Sequence, residues 1–240
     1  MKKQPDRRTW GHYRREITPA RPVAMSAKSS RTLMAMKELD AALTAALSDA
    51  VRELERRSRA EIVIEIRRRA GSYAHADARF ASLAAFCALL FLLFSPWLFA
   101  PVWVAVDVAA VWGIALFLAG RSDSVRRWMT TRRERDRASQ LGAAAAFHER
   151  GVAGTSGETG VLLFFSKLER RLQILADRAV LEAVPALEWN RVVEEARDHE
   201  AAPQSLVRVM LELAPLLERH LPLRDGDVDE LANAPRFGVE

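Results

Sequence analysis

Between Phe80 and Ala119 the chain runs for forty residues with one ionisable carboxylate or amine, Asp107. A helix that crosses a bilayer needs about 20 apolar residues, so the run is long enough for two. The segment Pro96–Pro101 supplies the turn between them, because proline cannot continue a helical hydrogen-bond ladder. The run therefore predicts a transmembrane helical hairpin over residues 80–119, and that hairpin decides where the rest of the chain can be.

Of the 240 residues, the first thirty mix Lys, Arg, Pro and Ser with few aliphatic side chains and read as a disordered basic arm. The remainder is enough for one soluble domain with a real core. The net charge is +5. Its arginines concentrate in Arg7–Arg15, Arg67–Arg69 and Arg121–Arg137, and the last two clusters flank the hairpin directly. Contact with a lipid bilayer carrying anionic head groups explains those clusters better than nucleic acid does. No zinc-finger spacing, aromatic RNA-binding motif or helix-turn-helix signature is present, so no nucleic-acid partner is expected. Cys87 is the single cysteine, which leaves no intrachain disulfide to form. No apolar segment precedes residue 30, so the hairpin itself is expected to target the chain, without a cleaved signal peptide.

Basic residues close to a span stay on the cytoplasmic side. Arg67, Arg68, Arg69 and Arg79 precede the hairpin, and Arg121, Arg126, Arg127, Arg132, Arg133, Arg135 and Arg137 follow it; the turn carries no lysine or arginine. Both flanks, and with them both termini, are thus expected in the cytoplasm. Trp97 and Trp103 fit the far interface, and Trp128 lies just past the near one. An intramembrane carboxylate such as Asp107 invites a role as proton or ion ligand. It falls within two turns of the second helix's start, however, where an interfacial position is the simpler reading.

Along the soluble parts, Leu33, Met36, Leu39, Leu43, Leu47, Val51 and Leu54 recur at helical spacing, with Ser30 as N-cap and an end near Arg57. Glu61–Arg67 is a short buried strand, rich in β-branched residues. After the hairpin, residues 123–150 read as one long helix, stopped by Gly151. Val161–Ser166 and Leu172–Asp177 read as two more strands, and Glu188–Glu200 and Pro203–His220 as two amphipathic helices. The order predicts an α/β fold: a small sheet covered by helices, discontinuous over residues 31–78 and 121–235, and interrupted by the hairpin.

Several of these segments are similar to motifs of the TPM domain family. Ser58-Arg-Ala-Glu61-Ile-Val-Ile resembles its first strand. Phe147, Gly151-Val, Thr155 and Gly160-Val-Leu-Leu-Phe-Phe-Ser166 resemble its second motif, and Glu169–Asp177, Val184-Pro185 and Trp189 its third. The tail Gly226-Asp-Val-Asp-Glu-Leu231 is similar to that of bacterial members carrying an inserted hairpin, and the likeness covers about residues 33–235. The resemblance implies a doubly wound α/β sheet and, for this subgroup, the bacterial inner membrane. It also implies functions as different as a thylakoid lumen acid phosphatase linked to photosystem II repair and a receptor accessory protein, with divalent cations bound by acidic loops in some members. The better-known members lie outside the cytoplasm, whereas the arginines here point inward.

The chemistry-bearing residues are few. No Gly-x-Ser-x-Gly, His-Glu-x-x-His, Walker A or dinucleotide fingerprint occurs. Gly154–Gly160 is glycine-rich but precedes a strand, whereas phosphate loops open onto helices, so it reads as a turn. His148, His199 and His220 lack metal-ligand spacing. Asp225, Asp227 and Asp229 alternate as a calcium loop begins, but Glu230 stands where its glycine is expected; a weakly bound divalent cation is the one cofactor left open. Asp177, at the end of a strand, is the candidate catalytic carboxylate, with Arg170 and Arg171 as candidate phosphate ligands. Helix capping by Asp177, and ion pairs or lipid phosphates for the arginines, is the competing and favoured reading. The function expected is that of an interaction or accessory module for a membrane protein partner; the alternative is a weak, divalent-cation-dependent acid phosphatase.

Overall fold

The computed structural model describes residues 27–97, 99–198, 202–203, 205–223, 231 and 235–238. The chain divides into two compact units, Met1–Ala41 and Ala42–Glu240. The expected arm over residues 1–30 lies outside the described residues but for its last four. Helix α1 (Ala27–Glu55) begins ahead of Ser30, the expected cap. Within the second unit its Leu47, Val51 and Leu54, three or four residues apart, bury one face.

The second unit is mixed α/β. Its sheet has the order β3-β2-β1-β4, formed by β1 (Glu61–Arg67), β2 (Gly160–Ser166), β3 (Arg171–Ala176) and β4 (Arg236–Gly238). Strands β1 and β2 are parallel, from Glu61 opposite Gly160 to Arg67 opposite Ser166. Strands β2 and β3 form an antiparallel hairpin, and β4 adds a parallel edge against Glu65–Arg67. A parallel pair needs a long crossover, and here that crossover holds the apolar hairpin: α2 (Ala74–Phe94), α3 (Pro101–Ala119), α4 (Asp123–Met129) and α5 (Arg132–Glu149).

Both faces of the sheet are covered. Ile62, Ile64, Ile66, Val161, Leu163 and Phe165 point to a core shared with α1, α6 (Arg178–Ala183), α7 (Ala186–Asp198) and α8 (Ser205–His220). The alternate residues Val63, Leu162 and Phe164 point the other way, against Ala143, Ala146 and Phe147 of α5. The period-2 alternation of two strands thus builds two cores at once, which is why both strands are apolar at nearly every position.

Two elements depart from the sequence expectation, and one follows it. The helix expected over residues 123–150 is broken at Thr130-Thr131, where Thr131 and Glu134 close a capping box that starts α5 afresh. Gly151 does end α5, in the left-handed conformation with φ 71°. Strand β4 extends the sheet beyond residue 235, the expected end of the domain, because β1 otherwise offers an open edge.

Helices α2 and α3 are 21 and 19 residues long, about 28–32 Å at 1.5 Å per residue, and long and apolar enough to cross a membrane. Only 17% and 11% of their most apolar windows is buried within the chain, so they are not core helices of the α/β unit. Along the apolar run, what they do bury is small: Ala81 and Ala85 on α2, Ala115 and Ala119 on α3. Small residues one turn apart let helix backbones approach closely where lipid supplies no hydrophobic drive. Phe86, Phe91, Phe94, Val102, Ile114 and Phe117 face outward.

Candidate functional site at the base of the apolar hairpin

The carboxyl ends of β1 and β2, Arg67 and Ser166, lie at the end of the sheet from which α2 departs. Their pairing continues one step further, as Lys167 and Leu168 donate backbone hydrogen bonds to the carbonyls of Arg67 and Arg68, each at 2.9 Å. The chain then turns through Ala70 and Tyr73 into α2, and returns from α3 into α4 and α5. Five segments thus meet here, and all carry charge.

Helix α2 starts six residues before the apolar run, so its first turn brings Asp77 into the α/β unit. Arg126 of α4 grips that carboxylate at two points, Nε to Oδ1 at 2.9 Å and Nη2 to Oδ2 at 2.7 Å, with both side chains about nine-tenths buried. The hydrogen bond to Asp77 holds the Arg126 guanidinium above its ordinary pKa. Around this pair Arg68 reaches Asp123 at 3.1 Å and Arg79 reaches Glu134 at 2.9 Å. Each bond joins the segment before the hairpin to the segment after it.

Beside the pairs, the buried Tyr73 hydroxyl donates to Glu169 Oε1 at 2.6 Å, and Ala70 N–H donates to the same oxygen at 2.9 Å. Burial, then the bond to Glu169, pushes the Tyr73 phenol far up. The other Glu169 oxygen is buried without a partner. Tyr73 and Leu168 pack with Met129 and Ala138, so α4 and α5 close over this contact.

Deeper in the sheet, Glu65 is fully buried on the α5-facing side of β1. Arg150 reaches it with both Nε and Nη2, the latter at 2.8 Å. Arg67 Nε lies 2.8 Å from the same carboxylate, and Arg67 Nη2 lies 2.7 Å from Glu149. Burial alone would raise the Glu65 carboxyl, but hydrogen bonds from Arg150 and Arg67 outweigh it and hold it below the usual carboxylate range. A charge at the centre of a strand is tolerated only because it is paired and hydrogen-bonded on both sides.

The candidate residues from the sequence are not brought together. Asp177 follows β3, where its carboxylate caps α6 by accepting from Arg178 N–H at 2.8 Å. Arg170 and Arg171 lie at the other end of β3, about 20 Å away along the strand. The grouping of Asp177 with Arg170 and Arg171 in one pocket is therefore corrected by the strand between them. Arg171 pairs with Asp136 of α5, as the competing reading had it. Asp107 sits on α3, exposed along the hairpin. Asp225, Asp227 and Asp229 lie outside the described residues, and among the described residues no group of three or more His, Cys, Asp or Glu could hold a metal ion.

Sequence reasoning missed Glu65, Asp77, Arg126 and Tyr73. One signal was available for Glu65: in Glu61-Ile-Val-Ile-Glu65 it falls at an alternate position of a strand buried on both faces, which demands a partner. For Asp77 and Arg126 the partners stand 49 residues apart across the hairpin, beyond any local pattern.

No family model matches the chain, and no curated protein matches it. Among solved structures it is similar to the NMR structure of BA42 protein from the psychrophilic bacterium Bizionia argentinensis, at 16% sequence identity and a TM-score of 0.45, with 82% of this chain and 94% of that chain covered.

Proposed function

We propose that the protein is an inner-membrane protein of two spans, with both termini and its TPM-like α/β domain on the cytoplasmic side. The domain acts there as an interaction or accessory module for a membrane protein partner. One observation carries this reading: large apolar side chains cover the outside of α2 and α3, with Phe94 at 84% and Val102 at 72% exposure. An apolar surface of that extent marks a membrane or a protein partner, and arginines stand at the base of both helices, where anionic head groups attract them. The ion pairs at the base support the module role, because they tie hairpin and domain into one body.

The test has four parts. The protein should stay in the membrane pellet after alkaline carbonate extraction. A reporter fused after Glu240 should be active only in the cytoplasm; activity on the far side would overturn the orientation. A partner crosslinked to the intact chain should be lost when α2 and α3 are exchanged for an unrelated two-helix hairpin. Phosphomonoesterase activity of the purified protein, abolished by Asp177→Asn at unchanged stability, would overturn the module reading in favour of the hydrolytic one.

A further inference from the structure

At the hairpin base Arg68, Arg79, Arg126 and Arg171 each have a carboxylate partner. Arginines beside them that have none among the described residues include Arg127, Arg135 and Arg170. Arg127 is half-buried on α4. Arg135 is pinned by its Nη1, which donates to the carbonyls of Thr130 at 2.6 Å and Arg127 at 2.9 Å, and this fixes it beside the end of α4. Arg170 closes the turn between β2 and β3, directly after the Glu169 that holds Tyr73. The contact of Met129 with Tyr73 and Leu168 brings α4 over that turn. Burial, with repulsion from Arg170 and Arg135, pushes the Arg127 pKa down, as expected where cations are held together without a counter-ion.

A second observation is conformational. Arg170 has φ 51°, in the left-handed region where glycine is at ease and a long side chain is strained. Such strain persists where the side chain is wanted. Two carboxylates adjoin these arginines in sequence and are already engaged: Glu169 is bound by Tyr73 and Ala70, and Glu134 is paired with Arg79. Three arginines with no carboxylate partner among the described residues leave a local surplus of positive charge, which suits a phosphate group.

We infer that Arg127, Arg135 and Arg170 form a phosphate-binding site at the hairpin base, filled by the phosphate of an anionic lipid head group or by a soluble phosphomonoester. Arginine forks match phosphate oxygens in geometry as well as charge. The lipid source rests on the membrane reading above; the phosphate site does not.

The experiment uses the full chain in two settings. In neutral detergent, its thermal unfolding is followed with inorganic phosphate against chloride at equal ionic strength. In nanodiscs, bound lipid is counted by native mass spectrometry with phosphatidylcholine alone and with phosphatidic acid added. Arg127→Gln and Arg170→Gly are compared with Arg133→Gln, an exposed arginine outside the cluster that removes the same charge. Arg170→Gly relieves the strained backbone, so its unfolding temperature should hold or rise while phosphate affinity falls by about tenfold, the loss of one charge-assisted contact. Arg133→Gln should change affinity less than about twofold. Protection by inorganic phosphate supports the site with a soluble ligand, and selective retention of phosphatidic acid supports it with a lipid. Failure to enter nanodiscs would sink the membrane reading and leave the phosphate arm to decide. No response to either probe, or an equal loss with Arg133→Gln, overturns the inference.

Discussion

Asp77 and Arg126 meet as a buried, two-point ion pair that locks the first turn of α2 to α4, on opposite sides of the apolar hairpin. Removing one partner strands the other charge in a site from which water is excluded, at a cost of about 3–5 kcal/mol. Asp77→Ala is therefore expected to lower the unfolding free energy in detergent by that amount. A double replacement with apolar residues of similar volume, Asp77→Leu with Arg126→Met, should recover most of it, because no uncompensated charge remains. Equal destabilisation by single and double replacements would show that the pair does not act as a unit.

Glu65 gives the domain an acid dependence whose sign follows from its pairing with Arg150 and Arg67. Its carboxyl in the folded protein lies below the ordinary value of 4.5. Its pairing thus contributes stability that is fully present above about pH 4.5 and is lost as pH falls through the lowered folded value. Glu65→Gln is expected to cost about 2–4 kcal/mol at pH 7, since Arg67 and Arg150 lose their shared counter-ion. The gap to the wild type should narrow below pH 4.5, where the wild type loses stability by protonation and the glutamine does not titrate. Denaturant unfolding at pH 7 and pH 4 measures both.

Two helical glycines should respond differently to the same change. A Cβ on Gly142 of α5 would stand 2.7 Å from the Ala70 carbonyl oxygen and 3.0 Å from its Cβ. Backbone cannot move aside cheaply, so Gly142→Ala should destabilise by about 1–3 kcal/mol. A Cβ on Gly113 of α3 meets nothing within 4 Å, so Gly113→Ala should cost nothing. Comparison of the two unfolding midpoints separates close packing from any general effect of alanine.

How far this fold is legible from sequence follows from the reach of each interaction. The hairpin was visible because forty consecutive residues share one property. Strands β1 and β2 were visible because burial on both faces removes polar residues from them. Strand β4 was not, since three residues carry no period and pair only because β1 leaves an edge. The break between α4 and α5 did have a local sign, Thr131 followed three residues on by Glu134, which the surrounding arginines masked. The charge network at the hairpin base depends on residues joined only after the crossover has folded: Tyr73 with Glu169, 96 positions apart, and Glu65 with Arg150, 85 apart.

The hairpin itself should be most sensitive where it looks least remarkable in sequence. Ile114 and Ala115 are neighbours on α3, but Ala115 is 6% exposed and Ile114 is 61% exposed. Ala115 lies on the face packed against α2, where Ala81 and Ala85 are also buried. Enlarging Ala115 to leucine would force the backbones apart and weaken the Trp112 Nε1 to Ser82 Oγ hydrogen bond, 3.4 Å long. Overpacking of this kind costs about 1–3 kcal/mol, and in lipid no hydrophobic gain offsets it, because an outward leucine is equally apolar in either arrangement. Ala115→Leu should therefore lower thermal stability in detergent and speed cleavage of the α3–α4 junction by protease, while Ile114→Leu leaves both unchanged. If the two variants behave alike, the alanine seam does not hold the hairpin together, and the ion pairs at its base must do so alone.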